Sequence, residues 1–175
     1  MKIAYGPVLV MAMAGLGAMP HADAQTRDNA LKDLGKINLI VEDVSQEASA
    51  CGVNAQNIRN AFSSKLTGGP LTLVDDATAK NDPQVATIYI KANVLPLTIE
   101  NVVNAPCVSQ VEVSLYSLQK VPLAATKRET LARVVLWEKG AMFASAKEIH
   151  GRKMSDTMNE LAQGLLQIWS ADNGR

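Results

Sequence analysis

Residues with reactive chemistry are scarce in this sequence: its 175 positions hold only two histidines and two cysteines. A Ser-His-Asp arrangement would have to use His150, because the other histidine, His21, falls in a removable leader. His150 itself, beside Gly151 and Arg152 at the entry to the last helix, reads as a surface or capping residue. No G-x-S-x-G elbow is present to lift a serine into reach. Zinc sites assemble three or four Cys, His or carboxylate ligands at recognisable spacing, and two distant cysteines with one histidine make a poor set. Neither charge sign is in excess, with 17 basic and 17 acidic residues. Nucleic acids reward a surplus of Lys and Arg at their phosphates, and anionic membranes reward a basic patch, so both partners are disfavoured. A glycine-rich phosphate loop is also missing. Gly68-Gly69-Pro70 follows a helical segment instead of opening one, and reads as a helix stop. Asp75-Asp76 and Asn81-Asp82 lack the oxygen alternation and closing glutamate of a calcium loop, and read as a solvated turn. Glu42 and Asp43 lie on opposite faces of a strand and cannot share a substrate unless the strand ends there. No catalytic residue, cofactor or metal ligand is expected.

What the sequence does contain begins at its amino terminus. Lys2 precedes an apolar run from Val8 to Ala18, and Ala22-Asp23-Ala24 supplies small residues at signal-peptidase spacing. Residues 1–24 are therefore expected to be a signal peptide cleaved near Ala24. The apolar run is shorter than the roughly 20 residues a membrane span needs. The expected location is periplasmic, and the exported chain has no later apolar stretch long enough to cross a bilayer. Removing the leader takes Lys2 and Asp23, so the charge balance is unchanged.

Residues 25–36 are polar without a sustained period and are expected to form a flexible arm; residues 37–172 are expected to be a single domain. Ile37, Leu39 and Val41 alternate along a first strand. Asn54 is placed to cap a helix whose apolar stripe is Ile58, Ala61, Phe62 and Leu66. A short strand over 70–74 follows, then three long alternating segments over 85–97, 108–118 and 130–145. Gly140 reads as a bulge or turn in the third. Met154, Met158, Leu161, Leu165 and Ile168 mark a last helix over 153–170. The order β-α-β-β-β-β-α predicts an α+β two-layer sandwich, its sheet mostly antiparallel with two helices packed on one face.

Strand–helix–strand followed by a meander, behind an exported amino terminus, resembles small bacterial envelope modules such as the amino-terminal domain of TolB and PelC-like assembly subunits. The resemblance covers most of residues 37–170 and implies binding or assembly instead of catalysis.

Cys51 and Cys107 are best read as a disulfide, since exported chains persist in oxidising surroundings. A reactive Cys51 at a helix start is the alternative. Tyr116, whose strand neighbours are polar, is a candidate partner contact, together with Trp137 and Trp169. The expected function is a non-enzymatic periplasmic binding or assembly module that engages an envelope protein or a second copy of itself. The alternative is a carrier of a small apolar ligand between sheet and helices. A hydrolase of unrecognised type is the third reading.

Overall fold

The computed structural model describes residues 29–98, 105–125 and 128–175. The expected signal peptide, 1–24, lies outside the described residues. Among the described residues, five strands form one sheet in the order β2-β1-β3-β4-β5. Strands β1 (Lys36–Val41) and β2 (Thr72–Val74) are joined through helix α1 (Ala55–Leu66), and β2 leads through helix α2 (Asp76–Asn81) to β3 (Ala86–Pro96). Strand β1 pairs in parallel with both β2 and β3. The rest is an antiparallel meander of β3, β4 (Cys107–Leu123) and β5 (Arg128–Ser145), followed by helix α3 (Lys147–Asp172). The protein is therefore an α+β fold on an open, mostly antiparallel sheet.

Alternation decides which face of the sheet is dry. Ile88 pairs with Leu115, Ile90 with Val113 and Ala92 with Val111, and all six side chains are buried. Ile37 and Leu39 of β1 extend this apolar layer. Ile58, Phe62 and Leu66 of α1, and Met154, Met158, Leu161 and Leu165 of α3, complete the same core. Each large side chain removed from water contributes about 1.5–3 kcal/mol, so this layer dominates the stability.

Local signals work as the residues suggest. The Asn54 side chain accepts a hydrogen bond from the Asn57 backbone N–H at 2.8 Å, capping α1. Gly68, just past the end of α1, has φ +75°, a left-handed turn that glycine adopts without a Cβ clash.

Besides the longer reach of β4, which runs to Leu123 and not to 118, four local features differ from the sequence reading. The last helix begins at Lys147 and not near Lys153, because His150 is buried and extends the inward stripe by one turn. The solvated turn expected after Asp75 is the short helix α2, and the Asp75 carboxylate accepts from the Thr78 N–H at its start. Gly140 carries no bulge: it pairs with Glu112, and the irregularity falls between Leu115/Trp137 and Tyr116/Val135, where Leu136 is the extra residue. A Cβ at Gly140 would stand 3.0 Å from the Val111 carbonyl oxygen, which is why that position suits glycine. Finally, the segment read as an arm is tied down from Asn29 onward. Leu31 is fully buried, and its N–H donates to Asp172 at 3.0 Å.

Candidate functional site

All three aromatic side chains singled out as partner contacts are covered by the chain itself. Tyr116 was expected to be exposed because its strand neighbours are polar, but only 8% of it is accessible. The bulge at Leu136 places Arg133 beside it, and the guanidinium lies 4.0 Å from the centre of the Tyr116 ring. Trp137 stands opposite Leu115 at the rim of the core. Trp169 is buried and donates its indole N–H to the Leu34 carbonyl at 2.7 Å, fastening the end of α3 to the start of the domain.

The cysteines form a disulfide. Cys51 closes the 3-10 turn Gln46–Cys51, Cys107 opens β4, and the bond joins them with both residues fully buried. Gly52, directly after Cys51, has φ +71° and lets the chain reverse into α1.

His150 departs from the surface or capping role expected of it. It is fully buried in the first turns of α3. The Ser109 hydroxyl lies 2.7 Å from its Nε2 and the Ser145 hydroxyl 2.7 Å from its Nδ1. A neutral imidazole has one N–H donor and one bare acceptor nitrogen, and a hydroxyl can serve either, so both tautomers are satisfied. Burial pushes the His150 pKa below its ordinary value. Phe143 closes the site with its ring centre 5.2 Å away. Among the described residues no carboxylate hydrogen-bonds to the ring, and Ser109 is fully buried. The cluster works as a polar clip between the meander and α3.

The open surface lies on the other side of the sheet. Tyr116 alternates with the inward Leu115, so Leu118 and Lys120 share its outer face, as do their partners Val135, Arg133 and Leu131. At the far end of that face Leu95 pairs with Val108, and Met142 pairs with Gln110. Leu95, Leu118, Leu131, Val135 and Met142 are each more than half exposed. Three of them crowd onto one projection. Pairing of β3 with β4 ends at Thr87/Tyr116, whereas β4 and β5 stay paired out to Leu123/Arg128. The sheet thus sends out a two-stranded ribbon carrying Leu118 and Leu131, with Val135 at its base. Sequence patterning alone could not show this, because the polar residues of that stretch mask a strand that outruns its neighbour.

No protein-family model matches the sequence, and no curated protein matches it. Among solved structures the chain is similar to a minor lipoprotein from Acinetobacter baumannii, at 10% identity over 81% of this chain and 94% of that one, with TM-score 0.43. It is also similar to a PelC dodecamer from Paraburkholderia phytofirmans, at 12% identity over 75% of this chain and 87% of the other, with TM-score 0.47. A second PelC dodecamer structure gives 10% identity, 73% and 85% coverage and TM-score 0.43. The resemblance is weak and one of layout.

Proposed function

We propose that the chain is an exported, non-enzymatic assembly module of a cell envelope that binds a protein partner through the outer face of its β4–β5 ribbon. The observation that carries this reading is the exposure of Leu118, Leu131 and Val135 together on that projection. A two-stranded ribbon is marginal by itself in water, and exposed leucines on both of its strands lower its solubility further. A partner that covers this face relieves both costs. The free edge of β5 offers backbone donors and acceptors to the same partner.

Two other observations support the setting. The disulfide between Cys51 and Cys107 suits an oxidising compartment. Among the described residues no helix is long and apolar enough to cross a membrane. The partner is an envelope protein or a second copy of the chain.

The apolar-carrier reading draws less support. Ile58, Phe62, Met154, Met158 and Leu165, all essentially inaccessible to solvent, fill the space between sheet and helices where its pocket would lie.

The test is a pair of charges on the ribbon, Leu131→Lys with Val135→Glu. Both positions are exposed, so the domain should keep its melting temperature while crosslinked capture of its partner falls away. Equal capture by the variant and the wild type would overturn the reading.

A further inference from the structure

A second site opens at the opposite edge of the sheet, where β2 is the outermost strand. Strand β2 stops at Val74, level with Asn38 of β1. Residues beyond Asn38 therefore lose their neighbour on that side, and the Leu39 carbonyl is left without a strand partner there. Arg59 of α1 fills the gap, donating from its guanidinium to the Leu39 oxygen at 2.7 Å. On the other side of the strand end, Asp76 opens α2. Its carboxylate accepts from the Asn38 side-chain amide at 2.8 Å, and that amide also reaches the Val74 carbonyl at 3.3 Å. Asn38 is buried, and it points away from Ile37 and Leu39, so α1 and the start of α2 flank the strand end from different sides.

Between them lies a cleft of about 600 Å³, lined by Asn38, Arg59, Asn60, Ser63, Asp75 and Asp76 among others. Its place has a topological cause. The chain leaves β1 through α1 to reach β2, then returns through α2 to β3 on the opposite side of β1. Where successive connections run in opposite directions, the helices diverge and leave a crevice beyond the carboxyl ends of parallel strands. The volume falls within the range of small-molecule sites.

The charges in this cleft are arranged in an unusual way. Arg59 and the two aspartates line the same cleft, yet among the described residues no ion pair joins them. Each side is already held by a different element: Arg59 by the β1 backbone, Asp76 by Asn38, and Asp75 by the Thr78 N–H it caps. One of the five guanidinium N–H groups goes to Leu39, so the fork retains donors for a planar anion. The far wall retains the negative charge of Asp76 for a cation. Asn60 and Ser63 add neutral hydrogen-bonding groups along the α1 wall.

We propose that this cleft binds a small zwitterion, an amino acid or short peptide, with its carboxylate on Arg59 and its ammonium group on Asp76. Titration of the full domain with L-alanine and with L-alanyl-L-alanine, followed by calorimetry or amide chemical shifts, tests this. Saturable binding of either, with shifts centred on Arg59, Asn60 and Asp76, is the expected result. The tighter of the two reports the charge separation that the cleft accepts. Acetate and ethylammonium, each carrying one charge, should bind at least about tenfold more weakly, as expected when one charged hydrogen bond is lost. Arg59→Gln and Asp76→Asn should each weaken the zwitterion by about tenfold or more. Asp76→Asn keeps an acceptor for Asn38, so this variant still reads out the proposal should Arg59→Gln loosen the fold. Absence of saturable binding at millimolar concentrations would overturn the proposal. So would acetate binding as tightly as alanine, or an Asp76→Asn variant binding with unchanged affinity. None of these outcomes bears on the ribbon, which lies at the other edge of the sheet.

Discussion

Gly52 and Gly151 meet backbone to backbone, so that a Cβ added at Gly151 would run into the Gly52 carbonyl. This contact seats the first turns of α3 on the junction between the 3-10 turn and α1. It lies beside the disulfide of Cys51 and the buried ring of His150. Because the obstacle is backbone, no side-chain rotation relieves it. Gly151→Ala is therefore expected to cost about 3 kcal/mol, the upper end for an overpacked site. Gly164, further along the same helix, has nothing within 4 Å of its added Cβ. There, Gly→Ala should stabilise by about 0.5–1 kcal/mol through helix propensity and reduced unfolded-state entropy. Urea unfolding of the two variants checks the opposite signs.

The disulfide staples the same junction to the first residue of β4. Its closed loop spans a sequence separation of 56. Constraint of the unfolded chain over a loop of that size stabilises by about 4 kcal/mol in the chain-entropy account. Thiol quantification on denatured, unreduced protein is expected to find none free. Reduction should lower the denaturation midpoint markedly, and retention of the midpoint would show that the clasp is dispensable.

His150 sets a pH dependence. Its folded pKa is depressed by burial from an ordinary 6.5, so the unfolded chain binds a proton more readily than the folded one. Stability from this group is complete above about pH 6.5 and declines as the pH falls from there toward the folded pKa. Thermal melts from pH 8 down to pH 5 should show that decline, and His150→Gln should flatten it at the expense of stability near neutrality. A wild-type profile as flat as the variant's would remove His150 as the cause.

Much of this architecture is legible in the residues, and the misses at Tyr116, His150 and the cleft share a cause. Alternation along β3 and β4 exposes the dry face directly, and Asn54 announces its helix because a cap acts within one turn. Cys51 and Cys107 announce their pairing through count and the expected export, and the disulfide is formed. Tyr116 misleads because its cover, Arg133, comes from another strand, displaced into place by an irregularity at Leu136. His150 misleads because its two serine partners lie on β4 and at the end of β5. The cleft at Arg59 depends on where β2 stops relative to β1, which is a matter of register. These three misses turn on contacts made across the fold, Arg133 on Tyr116, Ser109 on His150 and β2 against β1, where local periodicity carries no information.

The central claim is that the outer face of the β4–β5 ribbon is an interaction surface, and photocrosslinking tests it most directly. A photoreactive residue in place of Leu131 is compared with one in place of Lys153, an exposed position on α3. Illumination in cells that make the protein is predicted to give a discrete adduct from position 131, abolished by Val135→Glu, and none from position 153. Equal labelling from both positions, or no adduct from position 131, would contradict the account.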